Sequence, residues 1–251
     1  MNLAALNLDP RAAGFSVRNA RGLAWASAWA YRVATFSDSK SDTQVLFYEN
    51  ADYAIIAFRG TSSVRDWMTD VNFDFEHIPN SRHENISVHD GFFDALDGVF
   101  EQCVLALRNI GGKPLFITGH SLGGALAQLF AFLIARQTSS PLIAGVYTFG
   151  SPRVGNKAFA AAYNNLLKAA TYNLVNACDP VPLLPPLLAG YRDGGTEIFL
   201  PASGGFVTDP FIGTELGNDL LGMFHAWRTG RLAFLPNHFM DRYAAKLATL
   251  S

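Results

Sequence analysis

The stretch from Leu115 to Arg136 constrains this chain more than any other. A brief apolar strand, Leu115 to Thr118, runs into Gly119-His120-Ser121-Leu122-Gly123-Gly124, and a segment apolar nearly all round follows from Leu122 to Arg136. A helix without a polar face has to be buried. The turn that joins strand to helix must be tight, and glycine at 119 and 123 relieves the crowding two positions either side of the serine, with Gly124 extending that relief.

Hydrophobic periodicity extends this unit along the chain. Helical patterns cover 19–32, 92–110, 157–169 and 238–250, and Gly111-Gly112 stops the second of them. Strand patterns cover 44–49, 53–58, 142–149 and 171–177, with Asn50 to Asp52 as a hairpin turn between the first two. Val64, Trp67, Met68 and Val71 recur at helical spacing among polar residues, which predicts a short amphipathic helix. The stretch 183–236 is rich in Gly and Pro and receives no regular structure. Strands alternating with helices imply parallel crossovers, hence an α/β fold with a mostly parallel central sheet and helices on both faces. No repeat or linker divides the chain, so residues 1–251 are expected to form one domain.

Composition excludes several classes. With 49% hydrophobic and 16% charged residues, the chain is not disordered. A net charge of −2 without clustered Lys or Arg gives no footprint for nucleic acid or for a polybasic membrane patch. No apolar run reaches the ~20 residues a membrane-spanning helix requires. Met1 to Pro10 lacks the pattern of a secretory leader. The expectation is a cytoplasmic protein, or one secreted by a leaderless route or as a mature form; compartment and oligomeric state stay open. Cys103 and Cys178 sit in apolar segments and read as buried thiols outside any disulfide framework. No His, Cys or carboxylate cluster has metal-ligand spacing and no phosphate loop appears, so neither metal nor cofactor is expected.

Gly119 to Gly123 fits the G-x-S-x-G nucleophile elbow, in which a strained strand-to-helix turn projects a serine hydroxyl from the sheet edge. An ordinary turn whose serine caps a helix fits the same letters. A reactive serine needs a base to take its proton and an acid to hold the base's tautomer, in the chain order Ser, Asp or Glu, His. Asp179 follows the apolar strand Tyr172 to Ala177 and precedes Pro180-Val181-Pro182, where an Asx turn would also place an aspartate. Two histidines follow at a distance. His238 opens the last helical pattern after Pro236-Asn237, and His225 lies in an unassigned apolar segment. Position favours His238 and leaves both open. His77, His83, His89 and His120 precede or adjoin the serine; His120 reads as packing beside the sheet, His89 and Asp90 as fixing a loop, and Arg59 and Arg153 as structural partners of carboxylates.

Several stretches together resemble the fungal-type triacylglycerol lipases, or class 3 lipases. They are Ala57-Phe58-Arg59-Gly60-Thr61, Trp67, Val88 to Phe92, Thr118 to Gly124, Thr148 to Gly155, Val175 to Pro186, and Asn237-His238. The resemblance implies an α/β-hydrolase fold and a Ser121–Asp179–His238 triad, with Thr61 and Leu122 as the oxyanion hole. It also implies a lid near 62–71 whose apolar face carries Val64, Trp67 and Met68. The implied activity is hydrolysis of lipid carboxylic esters at a lipid–water interface through an acyl-enzyme on Ser121, without a cofactor. A phospholipase, a feruloyl or short-chain esterase, and a non-catalytic lipid-binding protein of the same fold are the alternatives. The disulfides and signal of secreted family members are not visible here, and residues 198–235 match poorly.

Overall fold

In the computed structural model, residues 3–61, 73–78, 85–210 and 235–250 are described. The expected lid helix with Val64, Trp67 and Met68, and the alternative base His225, lie outside the described residues.

Period-two alternation sorts the strand side chains onto two faces of one sheet. Strands β1 (Phe36–Asp38), β2 (Thr43–Glu49) and β3 (Ala54–Phe58) form an antiparallel edge. Asn50 closes the turn between β2 and β3, its Oδ1 accepting from the Asp52 and Tyr53 N–H groups. From β3 the sheet continues in parallel through β6 (Leu115–His120), β7 (Ile143–Phe149), β9 (Thr171–Asn176) and β11 (Thr196–Leu200). A last antiparallel strand, β12 (Val207–Thr208), ends the eight-stranded order β1-β2-β3-β6-β7-β9-β11-β12. In β3, Ile56 and Phe58 face one core while Ile55 and Ala57 face the other; in β6, Leu115 and Ile117 oppose Phe116 in the same way.

The first core packs against α2 (Asp90–Leu107), α3 (Leu122–Ala135) and α4 (Lys157–Leu167). The second packs against α1 (Val17–Trp29) and α5 (Met240–Thr249). The mostly parallel sheet with helices on both faces is therefore present, and α3 is buried along almost its whole length, as a helix without a polar face must be. Cys103 is buried and Cys178 half-buried, and neither forms a disulfide among the described residues.

The sequence pattern leaves out a second, four-stranded sheet in the order β10-β8-β5-β4, built from β4 (Phe75–His77), β5 (Ser87–His89), β8 (Gly155–Asn156) and β10 (Tyr191–Arg192). Strands of two or three residues are too short to show alternation. Strand β11 is also hidden, inside the Gly- and Pro-rich stretch, although it pairs in parallel with β9 over five residues.

The β6-to-α3 turn depends on missing side chains. A Cβ at Gly119 would collide with the Gly123 backbone, and one at Gly123 with the Phe58 carbonyl. Gly119→Ala is expected to lose about 1–3 kcal/mol or more, the usual range for overpacking. Urea unfolding measures it, and an unchanged midpoint would show a looser turn than these contacts describe.

Candidate active site

Ser121 stands between β6 and α3 at φ 57° and ψ −132°. That backbone conformation costs an L-residue energy and is held only where surrounding structure fixes it. Two hydrogen bonds do so: the Ser121 N–H donates to the Phe149 carbonyl at 2.9 Å, and its carbonyl accepts from the Gly124 N–H at 2.8 Å. The side chain makes no capping bond to α3, so the plain capping serine does not describe this residue. Its Oγ is buried without a hydrogen-bond partner among the described residues.

Asp179 lies just past the end of β9, and His238 ends a 3-10 turn over Leu235–His238 that leads into α5. The two are 59 residues apart and in contact. His238 Nδ1 is 3.0 Å from Asp179 Oδ1 and 2.9 Å from Oδ2, with both side chains fully buried. Gly150, at the end of β7 with φ +60°, makes room for them: a Cβ there would stand 2.6 Å from Asp179 Oδ2 and 2.8 Å from His238 Nδ1. His238 Nε2, the nitrogen facing away from Asp179, is buried and has no partner among the described residues either. His120, the residue before Ser121, hydrogen-bonds the His238 carbonyl and so sets the histidine beside the turn.

A buried carboxylate needs donors. Besides His238, Asp179 accepts from the Tyr243 hydroxyl at 2.6 Å and from the Val181 N–H at 2.9 Å. Burial pushes its pKa up, but the His238 imidazole, the Tyr243 hydroxyl and the Val181 N–H outweigh burial and hold the carboxyl below its ordinary range. The Tyr243 phenol moves the other way, far above its usual value, because it is buried and faces that carboxylate.

The end of β3 also lies beside the serine turn. Strand β3 pairs with β6 so that Phe58 is opposite Gly119, and a Cβ at Gly60 would stand 3.1 Å from the Ser121 Cβ. Thr61 follows directly. Leu122 is the first residue of α3, where backbone N–H groups have no helical acceptor. Arg59 pairs with Asp42 at 2.6 Å and Arg153 with Asp193 at 2.9 Å, as structural arginines would. Arg153 further donates to the Leu183 and Pro185 carbonyls, which pins the segment following Asp179. His89 caps α2 through Nδ1, which accepts from the Gly91 N–H. Among the described residues, no group of three or more His, Cys, Asp or Glu side chains could hold a metal ion, and no helix is long and apolar enough to cross a membrane. Sequence reasoning missed Tyr243, Gly150 and Tyr31, whose hydroxyl lies 2.8 Å from His120 Nδ1; each joins the site through contacts far apart in the chain, which no local pattern reports.

Comparison with known proteins shows what the chain is similar to. The family model described as Lipase (class 3) matches residues 55–189. Over 152 residues the chain is 37% identical to the secreted mono- and diacylglycerol lipase 1 of Fusarium solani, covering 58% of this chain and 43% of that protein. The crystal structure of a lipase from Rhizopus microsporus var. chinensis superposes with a TM-score of 0.67 at 25% identity, covering 77% of this chain and 81% of that one. A triacylglycerol lipase described as having a serine protease triad as its catalytic centre superposes with a TM-score of 0.58 at 32% identity, over 66% of this chain and 64% of that one. The chain spans 41–44% of the length of the curated relatives it matches.

The Asp179 pKa fixes a pH dependence. Its carboxyl is lowered in the folded state from an ordinary value of 3.8. Such a group contributes stability that is complete above its unfolded value and is lost as pH falls through the folded value. Urea unfolding of the wild type should therefore weaken progressively below that ordinary value, and Asp179→Asn should lack this component. Tyr243→Phe should move the loss to higher pH and cost about 1.5–3 kcal/mol at neutral pH, the range for hydrogen bonds to charged groups.

Proposed function

Because the chain belongs to the class 3 lipase family, we propose that it is a serine hydrolase of lipid carboxylic esters. Ser121 is the nucleophile, His238 the base and Asp179 the acid that orients it. One observation carries this reading: a fully buried imidazole–carboxylate pair stands beside a strained serine turn, with the serine Oγ and the far imidazole nitrogen both unpartnered among the described residues. A protein that only bound lipid would have no physical need for all three groups in that arrangement.

In the proposed reaction the ester carbonyl oxygen sits between the backbone N–H groups of Thr61 and Leu122, and His238 Nε2 takes the Ser121 proton as Oγ attacks. Asp179 stabilises the resulting imidazolium without accepting its proton. Collapse of the tetrahedral species expels the alcohol, which His238 protonates, and leaves the acyl group on Ser121. Water, deprotonated by His238, then attacks the acyl carbon, and the fatty acid departs as Ser121 regains its proton. Each donor of such an oxyanion hole is worth ~3–4 kcal/mol of transition-state stabilisation.

Ser121 has no exposed surface, so a substrate reaches it only after the chain covering it shifts. That favours a substrate presented at a lipid–water interface. The lid near 62–71 is the part of the reading that falls outside the described residues.

Wild-type protein should be labelled stoichiometrically at Ser121 by a fluorophosphonate, and Ser121→Ala should lower kcat on nitrophenyl esters by ~10⁴-fold or more. Unlabelled, inactive wild-type protein would favour the lipid-binding alternative. Rates on emulsified ester should jump at the solubility limit, whereas smooth saturation through that limit would indicate an ordinary esterase.

A further inference from the structure

His120 is buried, and both of its ring nitrogens are engaged. Nε2 lies 2.6 Å from the main-chain carbonyl of His238, and Nδ1 lies 2.8 Å from the Tyr31 hydroxyl. A carbonyl oxygen can only accept, so the ring proton sits on Nε2. Nδ1 is then the acceptor, and Tyr31 must donate to it. The phenol oxygen in turn packs against Gly60, the residue before Thr61, where an added Cβ would collide with it. Two directed bonds result, from Tyr31 to His120 and from His120 to the carbonyl of His238, with Gly60 in contact with the phenol oxygen at the start of the line.

The line works only while His120 is neutral, because a protonated Nδ1 could not accept from Tyr31. Burial first, then the neighbouring His238, hold the His120 pKa down to about 3. The two imidazole centroids are 4.6 Å apart, Tyr243 packs edge-on to His120 at 6.3 Å, and Asp179 and Arg59 are the charged groups acting on His120 and Tyr31 respectively.

We propose that His120 is a positioning residue that ties the main chain carrying the base to the strand edge carrying Thr61, by way of Tyr31 and Gly60. Asp179 fixes the His238 ring and His120 fixes its backbone. With both anchors the imidazole is held at two ends, and its distance to Ser121 and to the oxyanion side is set by hydrogen bonds rather than by loop packing alone. The inference rests on the roles given above to Ser121, His238 and Thr61.

The test compares full-length wild type with His120→Leu, His120→Gln and Tyr31→Phe, using a soluble nitrophenyl ester and counting active sites with a fluorophosphonate. Gln retains a donor for the His238 carbonyl, and Leu does not. Per labelled site, His120→Leu should lose about 10²-fold in kcat, the order expected when a reacting group is misplaced by about an ångström. KM and the acidic midpoint of the pH–rate profile should stay unchanged, and His120→Gln should recover most of the loss. Tyr31→Phe, which removes one hydroxyl, should lose about fivefold in kcat at constant KM, within the range of one ordinary hydrogen bond, and it carries the test if His120→Leu does not fold. Wild-type kcat in Tyr31→Phe together with no difference between His120→Gln and His120→Leu would overturn the inference, as would an acidic midpoint that moves with His120. A wild type that fails to label at Ser121 would instead overturn the proposed function.

Discussion

A carboxylate with no exposed surface has to be surrounded by donors, because removing it from water costs several kcal/mol that only close hydrogen bonds and an opposite charge offset. Asp179 draws those donors from His238 in the 3-10 turn, from Tyr243 one turn into α5, and from Val181 in its own loop. The closing helix must therefore dock before the carboxylate can be buried as an ion. That docking reaches back to the start of the chain: Arg21 of α1 donates to the carbonyls of Leu247, Ala248 and Leu250 at the end of α5. Tyr243 also accepts from the Asn176 N–H at the end of β9, which locks helix, strand and carboxylate into one unit.

The same economy of long-range anchors governs the other loops at the carboxyl ends of the parallel strands, where α/β sheets gather their functional groups. Arg153, itself almost fully buried, bonds Asp193 on one side and the Leu183 and Pro185 carbonyls on the other. Its backbone N–H adds a bond to the Leu184 carbonyl at 2.6 Å. The segment that follows Asp179 is thereby held from the end of β7. Exposed ion pairs contribute little to stability, so the value of Arg153 lies in the buried carbonyls that it satisfies, and less in its half-exposed partner Asp193.

Those anchors mark the boundary of what the sequence discloses. The β6 turn is legible because its physics is local: a strand, two glycines that leave room for a reversal, and a helix with no polar face follow one another without a break. Asp179 is partly legible for the same reason, as an aspartate at a strand end before proline. Choosing His238 over His225 needs more than position, since nothing local distinguishes a histidine that will meet a carboxylate 59 residues earlier. Tyr243 is 64 residues from the carboxylate that it serves, and Tyr31 is 89 residues from His120. Gly150 reads as an ordinary glycine until the pair it makes room for is in place. The small second sheet and β11 escape because alternation carries no information over two or three residues, and because Gly194-Gly195 and Pro201 make a five-residue strand look like the interior of a loop.

Backbone strain and an unmet hydrogen-bonding group coincide at Ser121. Elsewhere buried hydroxyls are satisfied: Ser27 with Thr118, Tyr163 with Thr171, and Ser151 with Gln128. Near the strand ends, Ser121 Oγ, His238 Nε2 and Asn176 Oδ1 are buried without partners among the described residues, and Ser121 holds a left-handed φ. A buried polar atom left unpaired costs about 1–3 kcal/mol, and a strained backbone residue a similar amount. A core under pressure for stability alone would place glycine at 121, which has no hydroxyl to leave unpaired and adopts this φ without strain. The persistence of both costs beside a fully bonded Asp179 fits a site whose two unpaired atoms, a hydroxyl oxygen and an imidazole nitrogen, are the pair that must exchange a proton when a carbonyl arrives.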